Sequence, residues 1–87
     1  MDTNIEFEIY QITCKTLHSI LKEKIKGGIV VKVHWDVLNV KIINDGFEYH
    51  YVHTNWLDYC RTNADMYAIA NEVVKDFKHA VLNKYFT

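Results

Sequence analysis

The chain has 87 residues, with ten basic and eleven acidic side chains and a formal net charge of −1 at pH 7. This length predicts a single domain over residues 1–87. The near balance of charge argues against strongly basic nucleic-acid-binding proteins and against acidic mimics of DNA. Apolar residues make up 49% of the chain and aromatic residues 14%, which is enough for a folded core.

The cysteine content and the opening residues predict a cytoplasmic location. Two cysteines, Cys14 and Cys60, are too few for the disulfide framework of small secreted domains. Residues 1–8 carry acids instead of the basic region and apolar run of a secretion signal. No run approaches the roughly 20 apolar residues of a membrane span, so we expect reduced thiols and no membrane contact.

Apolar residues at helical spacing predict a first helix over about residues 6–26. Residues 5–9 alternate between apolar and polar, so the first turn could instead be extended. Gly27 can adopt the left-handed conformation that ends a helix, and Lys22, Lys24 and Lys26 suit the negative end of the helix dipole. The predicted buried stripe is Ile9, Ile12, Leu17, Ile20, Leu21 and Ile25, with Thr13 or Thr16 bridging its gap.

After Gly28 the apolar period becomes two, which predicts strands over residues 29–35, 38–43 and 47–53. Asp45-Gly46 between the last two is typical of a two-residue hairpin turn, because Asp and Gly both tolerate positive φ. This turn places Ile42 opposite Tyr49 and, one pair further on, Val40 opposite Tyr51.

The first hairpin is predicted to have a four-residue loop over residues 35–38, with His34 opposite Asn39. Both hairpins then assign their apolar side chains to the same face of the sheet, and a slip of one residue would destroy that agreement. The predicted core face is Val31, Val33, Val40, Ile42, Tyr49 and Tyr51.

Residues 54–61 are predicted to form a connector or a short helical turn, with Trp56, Leu57 and Tyr59 over an edge of the core. Thr62 is predicted to cap a last helix, with Asp65 as its capping-box partner. The buried stripe of that helix is predicted as Ile69, Val73, Phe77, Ala80, Val81 and Tyr85. The predicted fold is therefore a single α+β domain, α-β-β-β-α, with a three-stranded antiparallel sheet packed on two helices.

The histidines do not form a metal site by their spacing. His50 and His53 lie three apart on a predicted strand and point to opposite faces, so they do not share one ion. A pairing of His34 or His50 with Cys60 stays open. We predict no metal and no cofactor.

The cysteines do not identify a catalytic site. Cys14 lies one helical turn from His18 but is expected to pack as a small apolar residue. Cys60 beside Arg61 is the better candidate for a reactive thiol, although no partner base is identified. No pair of acids has a spacing that suits acid–base catalysis. We predict no catalytic residue and a protein that is not an enzyme.

The face of the sheet away from the core is the candidate partner-binding surface. In the predicted register Lys32 lies beside Lys41 and Lys41 beside His50, which gives a basic row whose repulsion an anionic partner could offset. Apolar side chains flank the row and stay exposed unless something covers them. The candidate set is Lys32, Lys41, His50, Val30, Ile43 and Val52. The alternative is a solvated face on which Asn39 and Glu48 weaken the field.

The predicted element order resembles that of double-stranded-RNA-binding domains, which contact duplex RNA through basic residues at the start of the last helix. The matching residues 62–68 read TNADMYA and contain no lysine. Residues 35–38 lack the Gly-Pro-x-His-type contact of that family. We therefore set this family aside.

In size, dispersed charge and rich use of Tyr, Asn, Lys and Ile, the chain resembles small accessory proteins from phages and prophages of low-GC Gram-positive bacteria. Residues 40–49, VKIINDGFEY, are typical of that group. The resemblance implies a non-enzymatic protein that binds another protein or a second copy of itself. One alternative is weak nucleic-acid binding through the open sheet face, with Lys75, Lys78 and Lys84. A second is anti-CRISPR-like inhibition of a host nuclease, although sheet-bearing inhibitors of that kind are strongly acidic.

Overall fold

The computed structural model describes residues 3–21 and 23–86, with side chains over residues 4–21 and 23–81. In chain order its elements are α1 (Thr3–Leu21), β1 (Ile29–His34), β2 (Val37–Asn44), β3 (Phe47–Thr54), α2 (Trp56–Tyr59) and α3 (Asn63–Phe86). The predicted α+β class and the order of one helix, three antiparallel strands and a final helix are confirmed. The single-turn helix α2 occupies the predicted connector.

α1 ends at Leu21, more than a turn before the predicted end. The helix ends there because the backbone of residues 26–28 hydrogen-bonds to the C-terminal end of β2 and to the turn that follows it. Ile43 N donates to Gly28 O at 2.9 Å, and Asp45 N donates to Lys26 O at 2.8 Å. Ile25 still contacts the core, but from an irregular segment. Lys22 lies outside the described residues.

Gly27 allows this close approach of two backbones and does not end the helix. It has a positive φ of 156°, and a Cβ built there would lie 2.1 Å from the carbonyl oxygen of Ile43. Any side chain at this position would therefore force β2 and the incoming chain apart.

The sheet is antiparallel in the order β1-β2-β3. The register between β2 and β3 is the predicted one, with Ile42 opposite Tyr49 and Lys41 opposite His50. Between β1 and β2 the predicted register is wrong by two residues, because Lys32 lies opposite Asn39. A shift of two residues keeps every side chain on its predicted face and changes only its neighbours.

The shift arises because the first hairpin closes with the two residues Trp35 and Asp36, since His34 pairs with Val37. Trp35 has a φ of 57°, a conformation that bulky side chains seldom adopt. Trp56, which lies about 20 residues further along the chain, donates hydrogen bonds to both residues of this turn. Its backbone N donates to Asp36 O at 3.1 Å, and its indole Nε1 donates to Trp35 O at 3.2 Å.

α1 and α3 pack on each other and cover one face of the sheet. The predicted core face is confirmed, with Val33 and Tyr51 half-buried and the other four members buried. Leu38, predicted to lie where the first loop meets the second strand and left out of the predicted core face, is fully buried on β2. In the stripe predicted for α1 all residues are buried or half-buried, and Thr13 and Thr16 are both buried.

The connector and α3 differ from prediction in detail. Trp56 is fully buried and Leu57 half-buried, but Tyr59 is 67% exposed, so its predicted place over the core is wrong. The predicted residues of α3 from Ile69 to Val81 are buried or half-buried, and Tyr85 has a side chain outside the described part. Three buried residues of α3 were not predicted: Met66, Ala70 and Val74.

The capping box at the start of α3 is confirmed. Asp65 Oδ2 accepts hydrogen bonds from the backbone N of Arg61 at 2.8 Å and of Thr62 at 3.1 Å. Asp65 N donates in return to Thr62 Oγ1 at 3.4 Å. None of the described helices is both long and apolar enough to cross a membrane.

Candidate partner-binding face of the sheet

The face of the sheet opposite the helices carries all six residues of the predicted binding set. We call this surface the open face, and it consists of Val30, Lys32, His34, Val37, Asn39, Lys41, Ile43, Glu48, His50, Val52 and Thr54. They stand on this face because strand side chains alternate, and the intervening residues point into the core. A shallow depression crosses the middle of the face between Val30 and Val52.

The open face has four rows of neighbouring side chains, with one row for every second residue along the strands. The row nearest the Trp35-Asp36 turn is His34, Val37 and Thr54, and the next row is Lys32, Asn39 and Val52. The third row is Val30, Lys41 and His50. The row nearest the Asp45-Gly46 turn is Ile43 and Glu48.

The predicted basic row, with Lys32 beside Lys41 and Lys41 beside His50, is wrong in its first pair. Lys32 lies opposite Asn39, and Lys41 lies opposite Val30 on one side and His50 on the other. The two lysines are therefore diagonal neighbours instead of a direct pair. The tight first turn is the cause, since it moved β1 by two residues along β2.

Glu48 weakens the positive charge of the open face. Its Oε1 lies 3.7 Å from Lys41 Nζ, and its Oε2 lies 3.6 Å from His50 Nε2. The side chains of Lys41, Glu48 and His50 are 40%, 52% and 61% exposed, so each contact contributes no more than about 1 kcal/mol. Within the described part of the chain, Lys32 has no acidic group within ion-pair distance.

The apolar part of the open face is exposed to solvent. Val52 is 57% exposed and Val30 42% exposed, and Ile43 is half-buried. The two valines flank the central lysine and histidine, so the face combines apolar and charged groups in the manner of a protein interface.

Two exposed aromatic side chains, Trp35 and Tyr59, lie near the Trp35-Asp36 end of the molecule and were not predicted to form a surface. Trp35 is 59% exposed, and Tyr59 stands edge-on to His53 with ring centroids 5.4 Å apart. The signal available in the sequence was a tryptophan directly between two strand patterns. It was not recognised because a tight turn usually has Gly, Asn or Asp at that position.

Both cysteines lie in surroundings that raise the pKa of a thiol. Burial raises the pKa of the Cys14 thiol, and a hydrogen bond with Tyr10 offsets this only in part. Burial and the nearby Asp65 carboxylate raise the pKa of Cys60. Nucleophilic catalysis needs the thiolate, which these environments disfavour.

The histidines lie where alternation predicts. His50 is on the open face beside Glu48, whereas His53 lies on the other side of β3 against Tyr59. Among the described residues, no group of three or more His, Cys, Asp or Glu side chains is placed to hold a metal ion.

The cations proposed for nucleic-acid binding do not form one surface. Lys75 and Lys78 are exposed on α3, which covers the core face of the sheet, whereas Lys32 and Lys41 are on the open face. The side chain of Lys84 lies outside the described residues. Comparison of the chain with protein families, with curated proteins and with solved structures finds no match.

Proposed function

We propose that this protein is a small, non-enzymatic accessory protein of the phage or prophage type that acts by binding a protein through the open face of its sheet. The observation that carries the proposal is the pair of exposed valines, Val30 and Val52, in the middle of a sheet face. Burying apolar surface contributes about 25 cal/mol per Å², so a partner that covers them gains a favourable term. The accessory-protein class is supported by the resemblance in composition and element order.

The mixture of groups on the open face favours a protein partner over a nucleic acid. Glu48 lies within 4 Å of both Lys41 and His50 and would repel a phosphate brought to either. Nucleic-acid binding depends on several cations that reach phosphates together. Here Lys75 and Lys78 are exposed on α3, in the other layer of the domain.

The proposal assigns no chemical step to the thiols. Burial raises the pKa of both Cys14 and Cys60, and the nearby Asp65 carboxylate raises that of Cys60 further. A binding role needs no activated thiol, only an accessible surface.

The test is a crosslinked affinity capture with tagged protein in an extract of the source cells, in which all captured chains, including the protein itself, are identified. The variant Lys32→Glu/Lys41→Glu is expected to reduce capture at least tenfold, because it reverses both lysines of the open face. The matched control is Lys75→Glu/Lys78→Glu, which makes the same charge change on α3 and should capture as the wild type does.

Circular dichroism of each variant establishes that the fold is kept. Equal capture by the wild type and by the open-face variant, with both folded, would contradict the proposal.

A further inference from the structure

We propose that the outer edge of β3 binds an extended basic segment of another protein as a fourth strand of the sheet. This goes beyond the proposed function, because it uses the edge of the sheet instead of the open face. The sheet order is β1-β2-β3, and within the described residues no strand pairs with the outer side of β3. An unpaired edge presents a row of backbone N–H and C=O groups to which an extended chain can bond.

The register shows which backbone groups of β3 point outward. Ile43 N donates to Gly28 O at 2.9 Å, so the backbone of Ile43 faces β1 and does not bond to its partner on β3, Glu48. Bonded and unbonded pairs alternate along an antiparallel ladder. The N–H and C=O groups of Glu48, His50 and Val52 therefore point away from β2, toward the position of a further strand.

β3 lacks the features that protect an edge strand from pairing. It has eight residues, FEYHYVHT, without lysine, proline or an interruption of its register. Aromatic and β-branched residues favour strand formation. The other edge, β1, has six residues, carries Lys32 and packs closely on α1. Because lysine on an edge strand opposes the addition of another chain, β3 is the edge that accepts one.

Two carboxylates of α3 lie beside the inner side of β3 and determine the charge of the added strand. Asp76 Oδ2 accepts a hydrogen bond from the hydroxyl of Tyr49 at 2.5 Å. Glu72 lies one helical turn before Asp76, and both are exposed. Burial, followed by the charges of Glu72 and Asp76, raises the pKa of Tyr51, so both acids act on this side of the sheet.

The side chains of an added strand alternate between these carboxylates and the open face. Those opposite Tyr49 and Tyr51 point toward α3, where a lysine or arginine meets the two carboxylates. The side chain between them lies beside His50 on the open face. The acids therefore favour a segment that has basic residues two positions apart.

The acids of α3 do not act alone. Lys75 and His79 line one depression of α3 together with Glu72 and Asp76, and Lys75 lowers the net negative charge there. The backbone hydrogen bonds of the edge must therefore supply much of the affinity. For a short peptide we expect a dissociation constant on the order of 100 µM.

The experiment is a fluorescence-anisotropy titration of the whole chain, up to about 1 mM, against the labelled heptapeptide Thr-Ile-Lys-Thr-Lys-Lys-Thr with an amidated end. In antiparallel pairing, its middle threonine lies opposite His50. The lysines on either side of that threonine lie opposite Tyr51 and Tyr49, and the last lysine lies opposite Glu48.

Charge reversal on the protein tests the contribution of α3. Glu72→Lys should weaken peptide binding about fivefold, because an attraction at an exposed site becomes a repulsion. The matched control is Glu23→Lys, which is exposed beyond the end of α1 in a different depression, beside His18. It should bind the peptide as the wild type does.

Methylation of single peptide nitrogens separates strand addition from the attraction of charges alone. N-methylation of the middle threonine removes a hydrogen that points at β3 and should weaken binding about tenfold. N-methylation of the lysine that follows removes a hydrogen that points away from β3 and should change binding by less than about threefold. On the protein, His50→Pro removes an outward N–H and should also prevent binding, whereas His50→Thr keeps it and should bind.

Three outcomes of the titration would overturn the inference. These are no binding up to the highest concentration, equal weakening by the two methylated peptides, and binding by Glu72→Lys that equals that of the wild type. Dimerisation of the chain that His50→Pro abolishes and the peptide inhibits would identify a second copy as the occupant of the edge, and would also overturn it.

The proposed function of the open face is judged separately. Lys32→Glu changes that face on the opposite edge strand and should bind the peptide as the wild type does. Loss of the edge site therefore leaves the open-face proposal standing, and the reverse also holds.

Discussion

At the scale of single residues, Trp35 is the clearest conflict between a side chain and its backbone. A φ of 57° costs a bulky L-residue about 1–2 kcal/mol relative to glycine. The two hydrogen bonds from Trp56 to the carbonyl groups of Trp35 and Asp36 hold the turn in this conformation. Because the indole is 59% exposed, burial of the ring offsets only part of the cost.

Replacing Trp35 with glycine is therefore expected to stabilise the protein. For Trp35→Gly we expect the free energy of unfolding to rise by about 0.5–1 kcal/mol, since glycine adopts positive φ without strain. Urea denaturation followed by the fluorescence of Trp56, the other tryptophan of the chain, measures the change. Trp35→Ala, which keeps the strain and removes the ring, should not be more stable than the wild type. A glycine variant less stable than the wild type would show that contacts of the indole outweigh the strain.

At the scale of elements, the start of α3 depends on one carboxylate. Hydrogen bonds from the backbone N of Arg61 and of Thr62 lower the pKa of Asp65, with burial acting weakly in the opposite direction. A carboxyl with a lowered pKa in the folded state stabilises the fold at pH values above its unfolded pKa. This contribution is lost as the pH falls through the lowered folded value.

We therefore expect Asp65→Asn to be less stable than the wild type at pH 7, and the difference to shrink below about pH 4. Urea unfolding of both proteins from pH 7 to pH 2.5 measures it. Asp58→Asn, in the short helix α2, controls for the loss of an exposed carboxylate elsewhere. A difference between wild type and Asp65→Asn that stays constant over this range would contradict a role for the ionised carboxylate.

At the scale of the whole molecule, Tyr49 joins the sheet to α3. Its ring is 5% exposed and meets Phe77 edge-on with centroids 5.5 Å apart. Its hydroxyl donates to Asp76 Oδ2 at 2.5 Å. Burial, followed by this hydrogen bond, raises the pKa of Tyr49 far above its usual value. Burial and the nearby Glu72 carboxylate raise the pKa of Tyr51 to about 12.

Groups with a raised folded pKa stabilise the fold fully below their unfolded pKa, and this stability is lost as the pH rises. We therefore expect the free energy of unfolding to fall above about pH 10. Tyr49→Phe should cost about 1 kcal/mol at pH 7 through the lost hydrogen bond, and less at pH 11. Urea unfolding at the two pH values measures this, with Tyr59→Phe at an exposed tyrosine as the control. An equal cost at both values would contradict the assignment.

The sequence by itself determined the features that depend on local pattern. Alternating apolar residues assigned the core face of the sheet, because side chains of a strand point to alternate sides whatever the partner. Asp45-Gly46 set the register of β2 against β3, and Thr62 with Asp65 marked the start of α3, since turns and caps are built from neighbouring residues. Membership of the open face followed from the same alternation.

Only the tertiary structure decided the neighbours across the sheet and the end of α1. The first hairpin closes tightly because Trp56, about 20 residues further along the chain, bonds to both carbonyls of the turn. α1 stops early because the chain after it bonds to β2, where Gly27 permits the contact. Both causes join segments distant in sequence, which no local pattern contains. The tight first hairpin also places Lys32 opposite Asn39 instead of Lys41, so the predicted basic row is not formed.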